Sequence, residues 1–362
     1  MSIIHYPLIK IDWSQVRRIL VVRLRSIGDT VLATPSLITL RRFLPTAQID
    51  ILLEDWVAPV LESFDAVDNV LSVGKDKKSR FEIAWRIRRS KYDVVFNLHG
   101  GTTATFFVRA SGAKYRVGLA SYQYNFLYTH LAPSPLKFWQ AEHTHSAEQQ
   151  LALLGFAGIP VEDKPKSRLV VSEKEKEEID LFLHVYGIDE NEIALIHPAA
   201  AFDTKRWSTE NFAKIIDYLA ARNIFSVVIA APSEEQIIDE INEKTRIVFH
   251  GFTHLTLPEV KALASRAKIF IGNDSGIAHI AAAVETPSVV IFGSSNINHW
   301  RPWTNALNEI VYEKMPCQPC AGYFCKEFDE PECIKRISVE SVVQAIEKVL
   351  ADVQGIKTPA RT

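Results

Sequence analysis

The apolar positions of this chain gather into short unbroken runs, separated by stretches of helical spacing. Residues 18–22 form the first such run. A run without polar alternation predicts a strand of a parallel sheet buried on both faces. Further strands are predicted at 49–53, 70–73 and 94–98, with a helical segment between each pair. A helix running to about Phe43 follows the first loop. It starts either at Asp29 with a kink at Pro35, or at Thr34 and Pro35 as N-cap and first helical residue. The pattern weakens over 122–139, an aromatic stretch holding Pro133 and Pro135, and resumes with a helix at 145–154. Gly158-Ile159-Pro160 and the charged run 162–166 read as a linker. A second series then begins, with strands at 194–197 and 225–230 and around Ile269 and Val289, and helices at 208–222, 234–244 and 338–353. Strands alternating with helices predict an α/β doubly wound architecture. Two such series predict two Rossmann-like domains facing a cleft, 1–163 and 164–362.

Composition agrees with a soluble globular chain. Its 362 residues suffice for two domains, and 47% apolar with 23% charged residues describes full cores. Net charge is −2, so no global field favours nucleic acid. Residues 1–13 hold no long apolar run, which argues against a signal peptide or membrane span and suggests the cytoplasm. The basic runs Lys75-Asp76-Lys77-Lys78 and Lys164-Pro165-Lys166 read as solvated loops.

The candidate chemistry lies in loops that follow strands, the edge where open α/β sheets bind ligands. In Phe270-Ile271-Gly272-Asn273-Asp274-Ser275-Gly276-Ile277-Ala278-His279, an apolar strand meets small polar residues and then a small-residue helix. Such a turn leaves the amides of Ser275, Gly276 and Ile277 to meet an anion, with the helix dipole helping. His279, one turn further, can point at the same ligand. An ordinary βα turn capped by Asp274 or Ser275 accounts for the same letters. A second loop, His197 to Ser208, carries Thr204, Lys205, Arg206 and Trp207. Its cations suit a departing diphosphate, or are merely solvated with Trp207 packed beneath. A third, Arg23-Leu24-Arg25-Ser26-Ile27-Gly28-Asp29, has Gly28 for a tight turn and Asp29 as general base or as helix N-cap. In Ala231-Pro232-Ser233-Glu234-Glu235, an acid can take ribose hydroxyls, or Ser233 is an N-cap with acids in the first turn. The chain holds no Asp-x-Asp pair, no P-loop, no Gly-x-Gly-x-x-Gly after Val22 and no Gly-x-Ser-x-Gly elbow.

Taken together, Arg23…Gly28-Asp29…Pro35, then Lys205-x-Trp207, then Asn273-Asp274-Ser275-Gly276-x-x-His279 resemble the lipopolysaccharide heptosyltransferases, glycosyltransferase family 9, over about residues 18–350. The resemblance implies a GT-B fold with an N-terminal acceptor domain and a C-terminal nucleotide-sugar domain. It implies ADP-heptose as donor, the lipopolysaccharide core as acceptor, inversion at the anomeric carbon and no metal in the chemistry. It also implies work at the inner face of the inner membrane, with peripheral contact. Carried over by position, Asp29 matches the general base and Lys205 the diphosphate lysine. Asp274, Ser275, Gly276, Ile277 and His279, with Thr204, match the donor pocket. Glu234 or Glu235 falls near the ribose-binding acid, although Ala231-Pro232 replaces the usual glycine there. Arg25 and His99, the latter in Asn97-Leu98-His99-Gly100-Gly101, are the acceptor-side candidates, with Arg109, Lys114 and Arg116 nearby in sequence. The alternatives are the same fold serving another nucleotide sugar or acceptor, and a non-catalytic nucleotide-sugar-binding protein.

All four cysteines fall in Cys317-x-x-Cys320-x4-Cys325-x7-Cys333. Clustered cysteines in a cytosolic protein suggest a structural zinc or iron, although this closing spacing is not a common zinc pattern. Four reduced thiols or a disulfide fit equally.

Overall fold

The structure, a computed structural model, describes residues 10–188, 190–320 and 323–353. The chain divides into two compact units, one reaching Val170 and the other beginning at Val171. The linker-like run does not separate them. Asp163 pairs with Arg42, Lys164 with Glu148 at 2.6 Å, and the Arg168 amide donates to Thr34 Oγ1 at 3.1 Å. Those contacts tie the run to the first unit. Lys164 also lies 4.1 Å over the Trp139 ring, so it is not the solvated loop lysine that its sequence suggests.

The first unit holds β1 (Arg18–Leu24), β2 (Gln48–Glu54), β3 (Asn69–Val73), β4 (Val94–Asn97), β5 (Tyr115–Leu119) and β6 (His130–Ala132). They form one parallel sheet in the order β3-β2-β1-β4-β5-β6. The second unit holds β7 (Glu192–His197), β8 (Ile224–Ile229), β9 (His250–Phe252), β10 (Ile269–Asn273), β11 (Ser288–Phe292) and β12 (Asn308–Tyr312). Its sheet, also parallel, runs β12-β11-β10-β7-β8-β9. Counted from its own first strand, each sheet has the same order, 3-2-1-4-5-6.

The central strands β1, β4, β7, β10 and β11 are buried along nearly their whole length, because helices cover both faces of each sheet. These are the continuous apolar runs of the sequence. The outer strands β6, β9 and β12 are short or mixed in burial, so they leave no such run and pass unnoticed. The aromatic stretch after residue 122 contains β6 and a five-residue helix, Pro135–Trp139.

Two local expectations change. The helix after β1 is two helices, Ile27–Val31 and Thr34–Phe43, with Ala33 at the second N-cap. Thr34 is inside that second helix, and its hydroxyl donates to the Val31 carbonyl at 2.7 Å. Lys77 and Lys78 are not in a loop; they open the helix Lys77–Ser90, which Asp76 caps.

Candidate functional site

An open α/β sheet binds ligands beyond its strand carboxyl ends, where the strand order reverses. In the first unit that point lies between β1 and β4, and in the second between β7 and β10. The segments that follow these four strands carry Asp29, His99, Lys205 and Asp274. Each candidate thus stands at the switch point of its own sheet.

In the first unit, β1 ends irregularly, with a register shift between Val22 and Leu24 and Leu24 at φ 47. Gly28 lies inside the helix Ile27–Val31 rather than in a turn, and Ser26, not Asp29, occupies the N-cap. Asp29 is therefore the third helical residue. One carboxylate oxygen pairs with Arg23, and the other accepts from the Ser26 hydroxyl at 3.1 Å. Arg23 is buried, and its guanidinium also donates to the Leu98 carbonyl at 2.5 Å. That bond joins the end of β1 to the loop after β4. On the β4 side, the buried Asn97 accepts from the amides of His99 and Gly100, both at 3.0 Å. Gly100 and Gly101 sit at φ 73 and 70, a region that L side chains rarely adopt. Burial, then the neighbouring Arg23 charge, holds His99 below its ordinary pKa, so its imidazole is neutral at pH 7. Asp29 and Arg25 also act on His99 electrostatically, so the four side chains form one cluster. Arg25 is exposed. Arg116 is spent elsewhere, on the carbonyls of Leu127 and Ala113.

In the second unit, Asn273 at the end of β10 is wholly buried. It donates to the Pro198 carbonyl at 2.6 Å and accepts from the Trp207 amide at 3.2 Å. One side chain thereby fixes the β7 loop at two points. Trp207 is buried against Phe212, and its indole donates to the Ile337 carbonyl at 2.9 Å, as expected of a packing residue. Lys205 Nζ lies 2.8 Å from Asp274 Oδ2, with the lysine side chain 19% exposed and the aspartate side chain 5%. The Ser295 hydroxyl donates to the same oxygen at 2.6 Å. Thr204 is buried, and its hydroxyl accepts from Ser294 at 2.8 Å. A side chain at Gly293 would meet the Thr204 carbonyl at 2.0 Å, so the Thr204–Lys205 backbone needs glycine there.

Ser275 takes the N-cap position of the helix Gly276–Ala283, yet its side chain does not cap. Its hydroxyl instead pairs with His197 Nδ1 at 3.1 Å. Burial pushes the His197 pKa down to about 4, so this partner stays neutral at pH 7. The first turn of the helix is left without a side-chain cap, and Ser275, Gly276 and Ile277 remain partly exposed. Such amides with an adjacent lysine suit an anionic ligand. His279 is buried on the inner side of that helix. Glu235 stands exposed at the start of the helix Glu235–Lys244. Glu234, not Ser233, holds that helix's N-cap position, and its carboxylate accepts from the Ala231 amide at 3.0 Å.

His197 and Ser295 are the additions that sequence reading missed. Ser295 follows β11 in a run of small residues, the same signal that marked the other loops. Nothing in the sequence announces that His197 turns back to meet Ser275.

The four cysteines are free thiols, and Cys333 alone of the four is buried. Cys320 Sγ is directed at the Cys317 carbonyl, 2.9 Å away. Among the described residues, no group of three or more His, Cys, Asp or Glu side chains is disposed to hold a metal ion. The zinc or iron suggested by the spacing of Cys317, Cys320, Cys325 and Cys333 therefore finds no support among the described residues, although the four thiols act on one another electrostatically. Burial and the other cysteines push the Cys333 thiol up to about 11. Only about 0.1% of it is thiolate at pH 8, and the thiolate is the nucleophile. An alkylating reagent at pH 8 should therefore modify Cys317 and Cys325 well before Cys333, as peptide mass mapping over time would read out. Equal rates at all four would contradict the burial of Cys333.

The profile of glycosyltransferase family 9 (heptosyltransferase) matches residues 80–329. The chain belongs to this family. It is a glycosyltransferase of the GT-B type. Lipopolysaccharide heptosyltransferase 3 of Escherichia coli K12 is 29% identical over 355 residues, covering 90% of this chain and 96% of that protein. Lipooligosaccharide heptosyltransferase 2 of Campylobacter jejuni is 25% identical over 334 residues, covering 90% and 95%. Among solved structures, a family 9 glycosyltransferase from Veillonella parvula superposes with a TM-score of 0.82 at 22% identity, covering 93% of this chain and 98% of that one. E. coli ADP-heptose lipopolysaccharide heptosyltransferase II gives 0.79 at 18% identity, covering 93% and 99%. In this family 9 chain, no helix among the described residues is long and apolar enough to cross a membrane.

Proposed function

We propose that this glycosyltransferase moves heptose from ADP-heptose to the core of lipopolysaccharide, inverting the anomeric carbon. The observation that carries the reading is the uncapped first turn of the helix Gly276–Ala283 beside the Lys205–Asp274 pair, at the sheet's switch point. A departing diphosphate needs donors already aimed at its growing charge. The amides of Ser275, Gly276 and Ile277 and the Lys205 ammonium are suited to that work. Asp274 holds the lysine head and Ser295 holds Asp274, Thr204 and Asn273 hold the lysine's loop, and His197 holds Ser275. In this reading Glu235 is the ribose contact and His279 shapes the pocket from within its helix.

On the acceptor side, Asp29 takes the proton of the attacking hydroxyl. Each carboxylate oxygen has two lone-pair sites, so the bonds to Arg23 and Ser26 leave room for it. The hydroxyl oxygen attacks the anomeric carbon as the bond to the diphosphate breaks from the opposite face. Arg25 and the neutral His99 orient the acceptor. Charge is met by Lys205 and backbone amides, so the displacement requires no metal. Two solved complexes of one relative, E. coli heptosyltransferase WaaC, support the donor: they contain ADP and ADP-2-deoxy-2-fluoro heptose. An acceptor carried on a lipid puts the enzyme at the cytoplasmic face of the inner membrane, in peripheral contact with it. The E. coli glycosyltransferase TibC, similar at a TM-score of 0.55, contains iron, whereas no group among the described residues here is disposed to hold a metal ion.

A donor screen tests the reading. ADP-heptose should raise the melting temperature and support transfer to a core acceptor, with UDP- and GDP-sugars doing neither. Ligand at 100 times its Kd adds about 2.7 kcal/mol of stability, well within reach of a melting experiment. Stabilisation by ADP-heptose without any transfer would instead favour a non-catalytic binding protein.

A further inference from the structure

The helix Lys77–Ser90 has a face that the glycosyl-transfer reading leaves unused. Ile83, Ala84 and Ile87 are its buried residues. On the opposite side Phe81 is 69% exposed and Trp85 62% exposed. Residues four apart stand on one face of a helix, so the two rings share a single ridge. Arg89, a further turn along, lies 4.4 Å over the Trp85 ring. Lys77, Lys78 and Arg88 are also exposed around it. From Lys75 to Lys91 the chain carries eight basic residues against two acidic ones, in a protein whose net charge is −2. One of those acids, Asp76, is spent capping the helix.

Large exposed aromatics ringed by cations have a specific chemical meaning. Aromatic rings enter the boundary between headgroups and acyl chains, while Lys and Arg meet anionic headgroups. We propose that the Phe81–Trp85 ridge of the helix Lys77–Ser90, with its flanking lysines and arginines, docks the protein on an anionic phospholipid surface. Charge decides between occupants. A two-fold contact between copies of this chain would set the same cations against one another, whereas anionic lipid neutralises them. The helix lies along the surface and does not span it, since its other face is built into the core.

The proposal rests on the reading that the acceptor is membrane-borne, and the test keeps the two apart. Full-length protein would be floated with acceptor-free vesicles of phosphatidylethanolamine and phosphatidylglycerol, and with vesicles of phosphatidylcholine alone. Transfer would be measured separately on a delipidated, water-soluble core saccharide. Binding is expected to the anionic vesicles, weakened by salt, with little to phosphatidylcholine. Phe81→Ser with Trp85→Ser should lower vesicle partition at least about 10-fold, from the apolar area lost. Lys78→Glu with Arg89→Glu should abolish the lipid-charge preference. Both variants should keep the wild-type melting temperature and full transfer to the soluble acceptor. Wild-type protein that stays off anionic vesicles, or a double aromatic variant that floats as well as wild type, overturns the docking face. So does concentration-dependent dimerisation that the aromatic variant removes without any vesicle binding. Loss of transfer with vesicle binding intact overturns the functional reading and leaves the docking face standing.

Discussion

Asp29→Asn should lower sugar transfer by about 10²–10⁴-fold, the usual worth of a positioned acid or base, while ADP affinity stays nearly unchanged. The donor candidates belong to the other compact unit, which is why binding should be spared. The substitution keeps the shape of the side chain and one carbonyl oxygen, but removes the proton acceptor. Because Ser26 holds the N-cap position, no helix cap is lost. The competing expectation is structural. Arg23 is buried and paired with the half-buried Asp29, and removing the charge of one partner leaves the guanidinium without its counter-charge, which lowers stability. If pairing is the only role of Asp29, the variant should melt early yet transfer sugar normally well below its melting temperature. Measuring kcat and the melting curve on the same preparation separates the two. Wild-type kcat at low temperature would return Asp29 to a purely structural role.

The second large effect is expected at Lys205. Lys205→Ala should raise the donor KM by roughly 10–150-fold, the value of about 1.5–3 kcal/mol for a lost hydrogen bond to a charged group. Here the lysine has two jobs to distinguish. It reaches Asp274 at 2.8 Å, and in the proposed complex it also meets the diphosphate. Its removal leaves the Asp274 charge, only 5% exposed, beside the anion site with Ser295 as its partner. Adding Asp274→Asn to Lys205→Ala removes that stray charge. If Lys205 merely neutralises Asp274, the double variant should regain wild-type donor affinity. If Lys205 meets the diphosphate, affinity should recover only in part. Isothermal titration with ADP reads either outcome directly, and full recovery would take Lys205 out of the donor site.

Much of this was legible in the chain before folding. The buried strands β1, β4, β7, β10 and β11 appear as apolar runs because parallel strands covered on both faces have no polar side. The loops holding Asp29, Lys205 and Asp274 were legible because a strand followed by small and polar residues is a local signal. The family followed from three such loops in a fixed order.

Only the tertiary structure decided how those residues are held. Arg23 meets Asp29 six residues away, and also Leu98 across the sheet. Asn273 binds Pro198 and Trp207 more than sixty residues upstream, and His197 turns to Ser275. These pairings depend on β1 lying beside β4 and β7 beside β10, which no local pattern encodes. The basic run at Lys77 reads as a loop by composition, although it opens the helix Lys77–Ser90. Composition marks it as polar, but only the packing of Ile83, Ala84 and Ile87 against the core fixes which way Phe81 and Trp85 face. The cysteine spacing suggested one metal centre. The structure has four free thiols and, among the described residues, no group disposed to hold a metal ion, which spacing alone does not decide.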